Sequence, residues 1–194
     1  GLGFSCDFEE VAGATFADDL GVNNLTISGV TLGAAGLFTN CGQYDGVNDN
    51  AKKTSPTGLD CGTGPVTAAI SFKMSAGLPG TSVTAFGKRN GDPGGTPGYQ
   101  IGMYDVGGGV VVFAAVHDGT TQVRVDAPAI GYDDNVAHRA WLVRDAGQML
   151  NLYIDGAFDR RELLQRVAMY TGSVAAAIAA VGPEIMAQTA PPVG

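Results

Sequence analysis

The sequence predicts an all-β fold, and three observations carry that prediction. Residues 140–158 (AWLVRDAGQMLNLYIDGAF) read as two strands and two turns. In the second strand Leu150, Leu152 and Ile154 share one face, and Met149, Asn151 and Tyr153 share the other. Alternation with period two marks a half-buried strand, not a helix. Second, apolar stretches between 99 and 126 are evenly spaced and separated by Gly107-Gly108-Gly109 and Asp118-Gly119-Thr120, the punctuation of a meander. Third, the 30 glycines are dispersed at turn positions without a period, which suits many short strands and excludes collagen. Strands at this spacing argue for a β-sandwich or barrel.

From the N-terminus, Phe4, Cys6 and Phe8 alternate with Ser5, Asp7 and Glu9, which predicts a first strand ending at Gly13. Residues 16–24 (FADDLGVNN) are turn formers. Residues 25–32 (LTISGVTL) alternate again, with Gly29 in the place of a bulge. After 41–49 (CGQYDGVND), the polar stretch 50–65 is expected to be a surface loop. Residues 66–74 and 82–87 predict strands, and 88–98 (KRNGDPGGTPG) an exposed loop. Strands follow at 99–106, 110–117 and 121–126, then a loop over 128–138. The last hairpin turns at Ala146-Gly147-Gln148 and again at Asp155-Gly156, where positive φ angles are expected. Residues 160–170 (RRELLQRVAMY) place Leu163, Leu164, Val167 and Ala168 at helical spacing and read as a short helix or an irregular return strand. Residues 174–181 (VAAAIAAV) fit either pattern, and 183–194 read as a Pro-rich extended tail.

A chain of 194 residues has room for one well-cored domain and is short for two. Its net charge of -8 leaves no basic stripe to displace counterions, which argues against nucleic acid. The same charge argues against docking on an anionic membrane surface, and the longest apolar run, 174–181, is too short to span a bilayer. Cys6, Cys41 and Cys61 lack CxxC spacing, so buried thiols are expected rather than a disulfide framework or a zinc site. No basic region followed by a long apolar run is found, so the expected route is synthesis in a cytoplasm without a cleaved signal.

Three pieces, in order, carry a family resemblance. The first is Asp7-Phe8-Glu9-Glu10 with Gly13, Asp18 or Asp19, and Asn23-Asn24-Leu25. The second is Gly42-Gln43-Tyr44-Asp45-Gly46-Val47-Asn48-Asp49, and the third runs from Trp141-Leu142-Val143 to Leu150-Asn151-Leu152-Tyr153-Ile154-Asp155-Gly156. Together they resemble the laminin-G-like jelly roll of the concanavalin A-like lectin and glucanase superfamily, in the variety common in bacteriophage particles and bacterial surface proteins. The resemblance implies two curved antiparallel sheets over residues 1–182, with 183–194 as a C-terminal tail. Trp141, Tyr153, Phe72, Phe86 and Phe113 are the expected core fillers. The family closes with a further strand containing an Ile-Asp-Glu-like stretch. Here 183–189 (PEIMAQT) stands in its place, so either Ile185 opens a shortened strand or a sheet edge is left for another chain.

Catalytic sets do not emerge. Glycanases on this fold carry E-x-D-x-x-E, whereas Glu9 and Glu10 are adjacent and on a strand would point to opposite faces. There is no GxSxG elbow, P-loop, dinucleotide fingerprint or HExxH. His117, beside Asp118-Gly119, reads as a solvated turn histidine. The candidate metal is Ca²⁺, to which Asp45, Asn48 and Asp49 offer hard oxygens, with Asp18 or Asp19 expected to approach. The same residue types also make turn hydrogen bonds to the backbone. Asp133-Asp134-Asn135 is a weaker acidic cluster that reads as a solvated loop. Tyr99, Tyr104 and Tyr132 are candidate glycan contacts, with core or rim packing as the alternative. The expected function is a non-enzymatic structural or interaction module that requires no cofactor. Its expected place is the surface of a bacteriophage virion, decorating a capsid, with shell proteins or copies of itself as partners. The alternative is a carbohydrate-binding, lectin-like adhesion module, Ca²⁺-assisted, outside a cell or on its surface.

Overall fold

The computed structural model describes residues 3–36, 39–75, 78, 82–88, 97–127 and 131–155, all within a compact unit that ends at Asp155. These residues are all-β. The strands are β1 (Thr15–Phe16), β2 (Leu25–Ser28), β3 (Thr31–Ala35), β4 (Asn40–Gln43), β5 (Asn50–Lys52) and β6 (Val66–Lys73). They continue with β7 (Ser82–Lys88), β8 (Gly98–Asp105), β9 (Val110–His117), β10 (Gln122–Asp126), β11 (Ala137–Arg144) and β12 (Leu150–Ile154). Every pairing is antiparallel: β10-β9-β8-β7, β12-β11-β6, β1-β2-β5 and the hairpin β3-β4.

The meander at 98–126 forms as its alternation requires. The central strand β9, VVVFAAVH, is rich in β-branched residues and is buried along its whole length. Val110, Val112, Ala114 and Val116 point to one side, where they join Tyr99, Ile101 and Met103 of β8. Facing them are Ala68 of β6, Ala140 and Leu142 of β11, and Leu150 of β12. β12 packs over β9 and β10, β11 over β8 and β9, and β6 over β7 and β8, so the four-stranded and three-stranded sheets stack sandwich-like. Each fully buried aliphatic side chain in this layer contributes about 1.5–3 kcal/mol.

The opposite face of β9 is also covered. Val111, Phe113 and Ala115 are buried there, and Phe113 lies opposite Gly102. A methyl group on Gly102 would collide with the Phe113 ring and come within 2.9 Å of the Val83 carbonyl. The Arg124 guanidinium lies 4.1 Å from the Phe113 ring centre and 4.3 Å from that of Tyr104. At Gly102 the outer face of this sheet is therefore covered by an aromatic ring with a cation above it.

Several expectations need correction. Residues 4–9 form no strand: Phe8 has φ 60°, and the Ser5 N–H goes to Asp18 Oδ1 instead of to a ladder. The alternating phenylalanines still find apolar partners, Phe4 stacking on Phe86 and Phe8 meeting Phe16 edge-on. Gly29 is a turn at φ 82° between β2 and β3, which belong to different sheets, rather than a bulge within one strand. Residues 50–52 of the polar stretch pair with β2. Among the expected core fillers, Phe72 and Phe86 pack against the main core. Trp141 and Tyr153 are register partners that alternate away from Leu142 and Leu152 and are half-buried, and Phe113 is on the outer side of its sheet. The expectations for 160–170, 174–181, the boundary at 182 and the tail 183–194, as well as most of 88–98, fall outside the described residues.

Two substitutions test this packing by urea denaturation. Leu142→Ala should cost about 2–5 kcal/mol, because a fully buried side chain leaves a cavity between the sheets. Gly102→Ala should cost about 1–3 kcal/mol through displacement of the Phe113 ring and backbone.

Candidate functional site

The Asp45–Asp49 loop joins β4 to β5 and is stapled to itself. The Asp45 Oδ1 accepts the N–H groups of Val47 (2.8 Å) and Asn48 (3.3 Å), and the Asp49 Oδ2 accepts the Asp45 N–H (2.8 Å). The Val47 N–H foremost, and then the others, hold the Asp45 carboxyl below its ordinary value against the opposing effect of burial. Asp49 also fills the space beside Gly29, where a Cβ would overlap its carboxylate. One carboxylate oxygen each of Asp45 and Asp49 is thus engaged as a turn cap. Asp18 is engaged elsewhere, and Asp19 Oδ2 accepts from Ser5 Oγ at 2.7 Å. Among the described residues, no three or more His, Cys, Asp or Glu side chains converge on one metal position.

The three candidate tyrosines occupy separate surroundings. Tyr99 is buried in the main core at the start of β8, and that burial, with nearby Cys61, raises its phenol above the ordinary value. Tyr104 lies near the other end of β8 on the outer face, donating to Asp126 Oδ2 at 3.2 Å beneath Arg124. Tyr132 lies in the loop before β11, edge-on to His138 at 5.2 Å. The structure does not bring them together on one platform. Ile185 falls outside the described residues.

Three polar anchors went unread in the sequence. Asp18 is buried, and its carboxylate accepts N–H groups from Ser5, Leu20, Val22 and Asn23. Burial alone would raise its pKa, but these four donors outweigh that and lower it. Asn23, 1% exposed, donates to the carbonyls of Gly3 and Thr57 and accepts from the Thr57 N–H at 2.8 Å. Arg144 ends β11 on the core face, and its guanidinium donates to the carbonyls of Gly62 and Gly64. Each anchor fixes a loop by satisfying backbone groups that would otherwise be buried without partners.

The fourth anchor is His138, at the start of β11 and 8% exposed. Its Nδ1 lies 2.5 Å from Asp155 Oδ2 and its Nε2 3.0 Å from Asp134 Oδ1. The rings of Phe72 and Tyr132 flank it. Burial pushes the imidazole down, but hydrogen bonding and attraction from Asp155 and Asp134 outweigh it and raise the pKa above 6.5. Asp134, which the sequence placed in a solvated loop, is held low by the Val136 N–H first and then by His138. Its neighbour Asp133 accepts from the Val110 N–H at 3.3 Å. His117 is likewise buried rather than solvated, and its Nδ1 accepts the Gly119 N–H at 2.9 Å. The three thiols are free and half-buried, and burial, aided by Glu10, Asp7 and Asp19, pushes that of Cys6 up to about 12.

These features define a class, an all-β, sandwich-like domain whose buried polar side chains hold its loops. Comparison with protein-family models, curated proteins and solved structures finds no match to this chain. Among the described residues no helix is long and apolar enough to cross a membrane.

Asn23→Ala should cost about 2–3 kcal/mol in chemical denaturation, since it strands two carbonyls and one N–H at a buried site. The Asp18 carboxylate has a lowered pKa in the fold, so its stabilisation is present above the ordinary 3.8 and is lost as pH falls through the folded value. Urea midpoints followed into acid should therefore fall, and Asp18→Asn should flatten that fall while lowering the neutral-pH midpoint.

Proposed function

We propose that this chain is a non-enzymatic structural or interaction module built on a laminin-G-like jelly roll, and that it decorates the capsid of a bacteriophage. The observation that carries the reading is how the buried polar side chains are used. Asp18, Asn23, Gln100, His117, His138 and Arg144 are each bonded to a backbone group or a neighbouring side chain of the scaffold. Polar groups used this way give loops one fixed shape, which recognition without chemistry requires. Exposed apolar side chains on the loops offer contact surface: Val47 is 75% exposed, Val11 68%, Met149 64% and Val136 55%. The jelly-roll assignment is supported by the stacking of two antiparallel sheets. Its placement on a virion surface, after synthesis in a host cytoplasm, rests on the three sequence pieces described above. The partners are then the shell subunits or neighbouring copies. The lectin alternative draws less support, because the described residues do not gather Tyr99, Tyr104 and Tyr132 on one platform.

The test reads the genes beside this chain's own for a major capsid protein, whose absence counts against the reading, and mixes the purified full chain with empty shells assembled from that protein. Saturable, stoichiometric attachment is the expected result, with glycan-array binding that does not respond to Ca²⁺. Absence of attachment, together with Ca²⁺-dependent sugar binding abolished by Asp45→Ala, would replace this reading with the lectin.

A further inference from the structure

The loop over 131–136 spans the two stacked sheets at one end of the sandwich. On one side, the Gly131 and Tyr132 N–H groups donate to the Val110 carbonyl, and Asp133 Oδ1 accepts the Val110 N–H, which fixes the loop to β9 of the four-stranded sheet. On the other side, the Asn135 N–H donates to the Met74 carbonyl just beyond β6, and Asp134 meets His138 of β11. Asp155, at the end of β12, takes the other ring nitrogen of His138. It also closes the hairpin, its Oδ1 accepting the Arg139 N–H at 2.8 Å and its own N–H donating to the Arg139 carbonyl.

The two contacts are satisfied together by one protonation state when both carboxyls are ionised. A carboxylate only accepts hydrogen bonds, and a neutral imidazole carries one N–H. His138 contacts a carboxylate at both nitrogens, so both contacts are hydrogen bonds only when the ring is an imidazolium. Loss of one proton leaves a nitrogen lone pair facing an anion. The contact that yields is the one to Asp134, the longer of the two: the Val136 N–H that also holds Asp134 Oδ1 belongs to the same loop, whereas Asp155 is held a second time by the Arg139 N–H of β11.

We propose that His138 is a proton-operated latch between the sheets: as an imidazolium it holds the 131–136 loop to the β11–β12 end, and loss of its Nε2 proton to solvent releases Asp134 and loosens the loop. The surrounding charges favour the closed form. Asp134 and Asp155 face it from the loop and from β12, Asp133 turns to the Val110 N–H, and the Tyr132 ring lies perpendicular to the imidazole. Of the nearby cations, Arg139 turns to Ser71 Oγ across the sheet, and Lys73 follows Phe72 and alternates to the other face of β6. The sign follows from linkage. A histidine whose pKa is raised in the fold stabilises fully below its ordinary 6.5, and that contribution is lost as pH rises through the folded value. The Asp134 end works oppositely, its contribution being present above 3.8 and lost as pH falls through its own lowered value. The loop is thus held in the window between the lowered value of Asp134 and the raised value of His138, and is released on either side.

The test is NMR of the full chain, reading the ring nitrogens of His138 and the exchange protection of the loop amides across pH. His138 should show both nitrogens protonated beyond pH 6.5. Protection of the Gly131, Tyr132 and Asn135 amides, relative to β9, should fall by about tenfold through the His138 transition. In Asp134→Asn, at a side chain 45% exposed, the His138 midpoint should drop and loop protection should no longer follow it. A His138 ring that has lost a proton already below pH 6.5, loop protection indifferent to its titration, or an unchanged pH response in Asp134→Asn would each overturn the latch.

Discussion

A strand buried on both faces is the constraint on which the rest of this structure depends. β9 carries apolar side chains on each side, so each side must be covered. The three-stranded sheet covers one face with Ala68, Ala140, Leu142 and Leu150. The other is closed locally, by Phe113 lying across Gly102 and by Arg124 lying across Phe113. The two solutions differ in kind. The first is burial against a second layer, proportional to area. The second depends on one missing side chain and one cation, and Asp126 helps to hold that cation through its Oδ1, 2.6 Å from Arg124 Nε.

Loops are secured by a different force from the one that secures the sheets. Residues 3–24 pair little with strands, yet Asp18 and Asn23 gather their backbone groups around two buried side chains. Arg144 does the same for residues 62–64, and the pair of carboxylates on His138 does so for residues 131–136. These anchors are directional, and losing one partner leaves the other unsatisfied in a poorly solvated place. The sandwich tolerates irregular connections because each is closed by hydrogen bonds rather than by packing alone.

Much of the strand framework was legible because alternation survives wherever one face is wet. β9 spans residues 110–117 as read, and β6, β8, β10 and β12 lie within a residue or two of their expected limits. The N-terminal strand was misread because Phe4, Cys6 and Phe8 satisfy the same pattern, while the left-handed backbone of Phe8 is not written in side-chain hydropathy. Trp141 and Tyr153 were misplaced for a related reason: large aromatic residues suggest burial, but their parity against Leu142 and Leu152 puts them on the outer face. In the candidate site, the spacing of Asp45, Asn48 and Asp49 marks a polar turn, and the bond from the Asp45 N–H to Asp49 Oδ2 is visible only in three dimensions. The pairing of Asp134 with His138 sits at a four-residue spacing, but its other half, Asp155, is distant in sequence and is brought close by the hairpin.

The contact between Gly102 and Phe113 also bears on how this sequence can change over time. The two residues share one volume across paired strands, so neither site is free to vary by itself. A side chain gained at 102 is tolerable only after the ring at 113 has been reduced, and a smaller residue at 113 exposes a strip of bare backbone until 102 fills it. The order of substitutions therefore matters, and the two positions should covary among descendants of this chain as a non-additive pair.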